Sequence, residues 1–223
     1  YYADDTVTPV GFDIILGKEI ARRLNLEAVF IDTAFDGILD GLDADRYDIV
    51  LSALTITDER LAKYDFTKPY IGNGQSIVIR KDSDLVVNDF KDFDGLRFGF
   101  QGSSTSDYFC SHIMQEYGIT LETTGYEKIL TAYDDLKLNR IDAVVSDSLV
   151  AVSYLAPKDS EFRQAWVGTP DEYFGICMKK DNAVLNEKIN STFEEIKADG
   201  TLSKIYLEVF GMDLSDSIKS YSE

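Results

Sequence analysis

The sequence has few of the residues on which most metal sites and nucleophilic enzymes depend. Among its 223 residues are two cysteines, Cys110 and Cys177, and one histidine, His112. Structural zinc sites use about four Cys or His ligands, and cysteine enzymes need a Cys–His pair. The composition argues against both kinds of site, and we expect neither a bound metal nor a cofactor.

Positive charge and long hydrophobic runs are also scarce. The 22 Lys and Arg residues face 40 Asp and Glu residues, which gives a formal net charge of -18. Such a charge repels nucleic-acid phosphates and anionic lipids, so neither is an expected partner.

The richest apolar stretch, around residues 49–56, is much shorter than the roughly 18 apolar residues of a transmembrane helix. Residues 1–30 show no secretory signal, so we expect any signal to have been removed or to lie outside this sequence.

Hydrophobic residues make up 44% of the chain, which is enough to bury a core without disulfides or metals. A length of 223 residues fits one large domain or two small ones. An internal repeat favours two, because residues 42–54 (LDADRYDIVLSAL) and 136–148 (LKLNRIDAVVSDS) align without gaps. In each copy, a polar helix end leads through Arg-x-Asp into a short β-branched run that is typical of a buried strand.

Amphipathic helices are predicted at residues 11–24, 126–136 and 183–198, and a shorter helix is predicted at 201–210. Helices that alternate with short strands predict an α/β fold with two lobes that carry mostly parallel sheets. Stretches rich in Gly, at 72–75 and 168–173, are predicted hinge crossings. The predicted division is lobe 1 at residues 1–72 and 174–223, and lobe 2 at residues 76–168.

Ligands of open α/β sheets bind beyond the carboxyl ends of the strands. Here those positions directly follow the β-branched run of each repeat: Ser52–Thr55 in the first copy and Ser146–Ser148 in the second. Asp147 is a candidate for binding a cation, but an acid at this place can equally cap the following helix. Both interpretations stay open at this point.

A second candidate is Arg60, in the first turn of a helix with Thr57 as its predicted N-cap. A cation there opposes the helix dipole unless an anion binds at the same terminus. The guanidinium and the Thr55 hydroxyl could then converge on a carboxylate. The alternative is a weakly stabilising surface ion pair with Asp58 or Glu59.

The segment 101–106 (QGSSTS) is a turn rich in hydroxyl groups after a predicted strand. Its N–H groups can bind an anion, although the Gly spacing and the Lys of a nucleotide-binding P-loop are missing. Phe35 is either a core aromatic or a wall of the ligand site.

Motifs along nearly the whole chain resemble those of one known family. In chain order they are GFDIILGKEIARRL, FDGILDGL, YDIVLSALTITDER, YDFTKPY, the QGSSTS turn, RIDAVVSD and IKADGTLSKIY. The sequence resembles the bacterial extracellular solute-binding proteins of polar amino-acid ABC transporters. The resemblance implies a periplasmic-binding-protein fold of type II, with two hinge crossings, that closes on one L-amino acid.

The resemblance also implies roles for individual residues. Arg60 would bind the ligand's α-carboxylate with Thr55 and the backbone of Ser104 and Thr105, and Asp147 would hold the α-ammonium. Further implied contacts come from main-chain groups of Ser52 and Ala53, the ring of Phe35 and the side chain of Gln101. Paired charges of both signs are what a zwitterion requires when it leaves water.

Phe35 and Gln101 favour a ligand with a polar, uncharged side chain, such as glutamine or cystine. The implied partner is the permease of an ABC transporter, and we expect a monomer outside the cytoplasm, in the periplasm or at the cell surface as a lipoprotein. No enzymatic activity is expected. The alternatives are an enzyme on the same fold, similar to cyclohexadienyl dehydratases, and the sensory domain of a membrane receptor.

Two features depart from the family pattern. Ser103 stands where the family usually has glycine, and the chain begins at Tyr1 inside the loop that follows the family's first strand. We therefore expect lobe 1 of this sequence to lack that strand, unless another segment takes its place.

The predicted crossings place Cys110 in lobe 2 and Cys177 in lobe 1. A disulfide needs Cα atoms within about 7 Å, and a bond between lobes would block hinge motion. We predict two free thiols, each a small buried hydrophobic group.

Overall fold

The computed structural model describes residues 8–221 and divides them into two compact units. The first unit comprises residues 8–33, 38–72 and 172–221, and the second comprises residues 34–37 and 73–171. The chain passes into the second unit after Gly72 and returns before Glu172. The expected absence of the family's first strand concerns the start of the chain, which lies outside these described residues.

Helices alternate with short strands along the chain. The helices are α1 (Phe12–Arg23), α2 (Ile38–Asp43), α3 (Asp58–Lys63), α4 (Thr105–Tyr117), α5 (Ile129–Lys137), α6 (Ser148–Leu155), α7 (Ala183–Ala198) and α8 (Thr201–Phe210). The strands are β1 (Ile49–Val50), β2 (Tyr64–Phe66), β3 (Ile71–Asn73), β4 (Gln75–Arg80), β5 (Arg97–Gln101), β6 (Glu122–Tyr126), β7 (Ala143–Asp147), β8 (Phe162–Val167), β9 (Glu172–Phe174) and β10 (Cys177–Lys179).

The start of α1 is held in the core of the first unit. Phe12, Leu16 and Ile20 recur every four residues, and all three side chains are buried. The Phe12 ring stacks on the rings of Tyr70 and Tyr206, with centroid distances of 5.7 and 5.3 Å. This stack fixes the first turn of α1, where the next residue, Asp13, lies close to a candidate ligand loop.

A five-stranded sheet, with the order β6-β5-β7-β4-β8, forms the centre of the second unit. It is apolar on both faces: Ile77 and Val145 belong to one hydrophobic cluster, and Val78 and Val144 belong to another. Strands buried on both faces carry nearly continuous apolar runs, as the second repeat predicts. Because β5 and β7 run parallel, both end at the same edge of the sheet, with Gln101 and Asp147 as their last residues.

The sequence predicted mostly parallel sheets, and this detail is wrong. In the first unit, β10 lies between β1 and β2 and runs antiparallel to both. In the second unit, β5 pairs in parallel with β6 and β7, but β4 is antiparallel to β7 and β8. Parallel neighbours need a crossover of about a dozen residues, usually a helix. The strands β4 and β10 instead enter their sheets soon after the chain has passed between the units.

The two cysteines have the predicted state. Cys110 lies in the second unit and Cys177 in the first, and both are buried and free. Burial raises the pKa of each thiol to about 12, so both stay protonated at neutral pH. The prediction of two unpaired, buried thiols is confirmed.

Candidate functional site

The residues predicted to bind a carboxylate in the first unit lie in one short segment after β1. The Thr57 hydroxyl oxygen accepts a hydrogen bond from the Arg60 backbone N–H at 3.2 Å, so Thr57 is the N-cap of α3, as predicted. The Arg60 side chain turns back along the segment, and its Nη1 donates to the Thr55 carbonyl oxygen at 2.8 Å. The buried Thr55 donates from Oγ1 to Oε2 of Glu172 at 3.1 Å. The guanidinium and the Thr55 side chain are therefore held in one network.

Ser52 and Ala53 form the bend that precedes this network. Ala53 has φ of +48°, in the left-handed region that a residue with a Cβ seldom adopts. The Ala53 backbone N–H donates to Oδ2 of Asp13, on the first turn of α1, at 2.9 Å. This hydrogen bond stabilises the strained conformation, and strain of this kind is concentrated at ligand-binding loops.

Sequence reasoning missed Asp13. Burial raises the pKa of its carboxyl group to about 6, although hydrogen bonds from Tyr70 and the Ala53 backbone act in the opposite direction. A carboxylate directly after the buried Phe12, at the start of an apolar helix face, was the signal that could have identified it. The partner, Ala53, lies 40 residues along the chain and could not be identified from the spacing.

Replacing Asp13 by Asn is expected to change how stability depends on pH. The folded-state pKa of about 6 lies above the ordinary value of 3.8, so this group destabilises the protein as the pH rises from about 4 to 6. The difference between the two pKa values corresponds to about 2 to 3 kcal/mol. Chemical denaturation should show the free energy of unfolding of Asp13→Asn rising by this amount, relative to wild type, over that interval. A constant difference would contradict the assignment.

In the second unit, the QGSSTS turn joins β5 to α4. Ser103 has φ of +60°, which accounts for the glycine that the family usually has at this position. Ser104 is the N-cap residue of α4 and donates from Oγ to the Gln101 carbonyl oxygen at 2.7 Å, so its side chain does not cap the helix. The Gln101 side chain donates from Nε2 to the Glu127 carbonyl oxygen at 3.2 Å.

A buried amide that sequence reasoning also missed connects this turn to Asp147. Gln75, at the start of β4, donates from Nε2 to Oγ1 of Thr105 at 3.2 Å and to Oδ1 of Asp147 at 3.4 Å. Its Oε1 accepts from the Ser106 hydroxyl at 2.8 Å, and 5% of Gln75 is exposed. The candidate residues Thr105 and Asp147 are therefore within hydrogen-bonding reach of one nitrogen atom.

Asp147 occupies the N-cap position of α6, but its side chain makes no capping hydrogen bond. Its Oδ1 instead accepts from Nδ2 of Asn73 at 2.6 Å, in addition to the bond from Gln75. Of the two interpretations that the sequence left open, the structure does not show the helix cap. The binding of a cation remains a proposal.

Phe35 begins a short 3-10 turn, Phe35–Gly37, and its side chain is partly buried. The sequence placed this segment in lobe 1, whereas its contacts group it with the second unit. The neighbouring Asp36 accepts a hydrogen bond from the Ser103 hydroxyl, which explains the grouping.

The predicted site residues are divided between the two units. The first unit contains Ser52, Ala53, Thr55 and Arg60, and the second contains Phe35, Gln101, Ser104, Thr105 and Asp147.

The whole pattern of motifs matches one family of proteins. Residues 1–212 match the bacterial extracellular solute-binding proteins, family 3. The chain belongs to this family. The prediction of a family that serves amino-acid transport is confirmed at this level.

Curated relatives of this solute-binding protein bind different amino acids. The ABC transporter arginine-binding protein 1 of Escherichia coli (strain K12) is 34% identical over 200 residues, which cover 88% of this chain and 79% of the relative. The L-cystine-binding protein TcyJ of the same strain is 29% identical over 206 residues, covering 92% and 76%.

Solved structures of similar proteins confirm the predicted α/β fold of type II with two lobes. An ancestral arginine-binding protein bound to arginine has a TM-score of 0.86 and 35% identity, over 95% of this chain and 92% of that one. An ancestral arginine-binding protein bound to glutamine gives a TM-score of 0.85 at the same identity and coverage. An ancestral amino acid-binding protein described as a precursor of cyclohexadienyl dehydratase has a TM-score of 0.82 and 29% identity, over 94% and 88%.

Neither a membrane span nor a metal site is found in the part of the chain that the structure describes. Within residues 8–221, no helix is both long and apolar enough to cross a bilayer. The same residues contain no group of three or more His, Cys, Asp or Glu side chains placed to hold a metal ion.

Proposed function

We propose that this protein binds an L-amino acid through both units and delivers it to the permease of an ABC transporter. Arg60 and Thr55 bind the α-carboxylate, together with the backbone of Ser104 and Thr105, and Asp147 binds the α-ammonium. Family membership supports an amino-acid-binding transport component that works outside the cytoplasm. We further propose that it acts as a monomer.

One observation in the second unit carries this proposal. Nε2 of Gln75 lies 3.2 Å from Oγ1 of Thr105 and 3.4 Å from Oδ1 of Asp147. The carboxylate and the ammonium of an amino acid are attached to the same carbon atom, so their protein partners must also be close together. Thr105 begins α4, whose N-terminus favours an anion, and Asp147 carries the charge that attracts a cation.

Main-chain groups of Ser52 and Ala53 add further hydrogen bonds to the ligand. The left-handed φ of Ala53 turns the chain sharply between β1 and Thr55. The Asp13 carboxylate holds this turn through the Ala53 N–H and so fixes the orientation of the Ser52 carbonyl, an acceptor that suits the ligand's α-ammonium. Preorganised polar groups of this kind bind a ligand without paying the entropy of ordering.

For the side chain, we propose L-arginine as the preferred ligand. The sequence favoured an uncharged side chain, and the relatives do not support this restriction, because arginine recurs among them. A planar guanidinium stacks on aromatic rings and pairs with carboxylates, and Phe35 and Asp36 lie side by side in one turn. The Gln101 amide uses an N–H for the Glu127 carbonyl, so its oxygen is the atom that suits a ligand rich in donors.

Calorimetric titration with L-arginine, L-lysine, L-histidine, L-glutamine and L-cystine tests the proposal. We expect L-arginine to bind most tightly. The heat signal should return to the baseline after each injection, as it does for binding without turnover. Tighter binding of glutamine or cystine would support the uncharged side chain instead, and absence of binding by all five would contradict the proposed function. A sustained heat signal after addition of a cyclohexadienyl compound would indicate an enzyme, the alternative that the dehydratase precursor raises.

A further inference from the structure

The N-terminus of α6 is capped by a residue from a distant part of the chain. Oδ1 of Asn73, at the end of β3, accepts hydrogen bonds from the Leu149 backbone N–H at 3.2 Å and from the Ser148 hydroxyl at 3.0 Å. The Ser148 N–H donates to the Gly74 carbonyl oxygen at 2.8 Å. Backbone donors in the first turn of a helix have no partner within the helix, so residues 73 and 74 supply what an N-cap side chain normally would.

The same amide also contacts the residue that it replaces as a cap. Nδ2 of Asn73 donates to Oδ1 of Asp147 at 2.6 Å, and only 1% of Asn73 is exposed. Asp is among the preferred N-cap residues, and a capping carboxylate would be directed at the helix N–H groups. Here that carboxylate is held by side-chain amides instead, because Asn73 has taken the helix donors.

Only an amide side chain of this length can perform both tasks. The helix requires an acceptor, and the Asp147 carboxylate requires a donor, and Asn provides one of each on adjacent atoms. An Asp at position 73 has no N–H to donate, and Leu has neither group. The geometry therefore explains why an amide occupies this buried position.

We propose that Asn73 is a positioning residue for the ligand's ammonium group: it caps α6 in place of Asp147 and so aims the Asp147 carboxylate at the ligand. This inference rests on the proposed function, in which Asp147 binds the ammonium. It adds that the affinity for an amino group depends on a side chain that does not touch the ligand.

Asn73→Ala is the variant that tests this inference, and Asn182→Ala is its matched control. Asn182 is the N-cap of α7 in the first unit, and its side-chain oxygen accepts from the Leu185 N–H at 3.2 Å. Both variants remove an Asn cap. Only Asn73→Ala is expected to weaken the binding of L-arginine, by about tenfold or more, because only this cap also orients the proposed ammonium anchor.

Two further readouts separate positioning from general destabilisation. Wild type should prefer L-arginine to its deaminated analogue, and Asn73→Ala should reduce this preference by about tenfold, whereas Asn182→Ala should not. When Asp147 has already been replaced by Asn, adding Asn73→Ala should cause little further loss of affinity, because both changes affect one interaction. Full additivity of the two losses would overturn the inference.

The outcomes also distinguish this inference from the proposed function. If Asp147→Asn lowers the affinity and a folded Asn73→Ala binds like wild type, the positioning role of Asn73 is wrong and the role of Asp147 stands. If Asp147→Asn keeps the preference for the amino group, the proposed ammonium anchor itself is wrong. If Asn73→Ala does not fold, Asn73→Ser keeps a polar group at the site, and the same tenfold loss is expected since a hydroxyl is too short to reach both partners.

Discussion

Arg60→Ala is expected to weaken the binding of the preferred L-amino acid by at least about thirtyfold. Loss of one partner of a desolvated charge pair costs on the order of 2 to 5 kcal/mol, and each 1.4 kcal/mol is about tenfold in affinity. The Nη1 of Arg60 already donates to the Thr55 carbonyl, so the guanidinium is oriented beside the other proposed carboxylate ligand before binding. Calorimetry with L-arginine measures the loss.

A matched control for this variant is Arg22→Ala. Arg22 is an arginine of the same unit that pairs with Glu19 on α1, and 69% of its side chain is exposed. Arg22→Ala should leave the affinity for L-arginine unchanged. Agmatine, which lacks the α-carboxylate, should bind wild type and Arg60→Ala about equally. Unchanged affinity of Arg60→Ala for L-arginine would show that another residue holds the carboxylate.

Asp147→Asn is expected to lower the affinity for L-arginine by at least about tenfold, because the amide keeps the shape of the side chain and removes its charge. The fold should persist, since Asp147 does not cap α6 through its side chain. The comparison with the deaminated analogue is decisive: the variant should lose most of its preference for the ligand with an amino group. An undiminished preference would mean that a different group binds the ammonium.

Asp142→Asn provides the control for charge removal in the same unit. Asp142 directly precedes β7 and pairs with Arg97 at 2.7 Å. The Arg97 guanidinium holds the pKa of this carboxyl group below its ordinary value. Removing the carboxylate charge should therefore lower the stability of the fold. We expect the affinity of Asp142→Asn for L-arginine to match that of wild type.

The parts of the fold that the sequence predicted correctly depend on local patterns. The repeat at residues 42–54 and 136–148 predicted β1 and β7, and the spacing of Phe12, Leu16 and Ile20 predicted α1. Strand direction was predicted less well. It depends on the edge from which the chain enters the sheet, and residues far away in the sequence decide that. The strand β10, for example, lies between β1 and β2 although more than a hundred residues separate it from either.

In the candidate site too, a residue's role was predicted only where its partner is close in the sequence. Thr57 was recognised as an N-cap because the residue and its partner are three positions apart. The role of Asp147 stayed open because the side chain that caps α6 in its place, Asn73, is 74 residues away. Gln75 was missed for the same reason: an amide in an apolar strand gives no sign of the hydroxyl and carboxyl groups that it meets in the folded chain.

The ligand's side chain was the least predictable property. The sequence offered only Phe35 and Gln101, and neither carries a charge that would indicate its partner. The acid beside them, Asp36, became relevant when the structure placed residues 34–37 with the second unit. Discrimination between amino acids depends on a few such groups, whose arrangement the local sequence does not specify.

In the proposed function, this protein recognises both charged groups of a free L-amino acid. The most direct measurement is a calorimetric titration of the wild-type protein with L-arginine, agmatine and deaminated arginine under the same conditions. We expect L-arginine to bind at least about tenfold more tightly than either analogue, because each analogue leaves one charged partner, Arg60 or Asp147, without its counterpart. Equal affinity for L-arginine and either analogue would show that the missing charged group is not recognised.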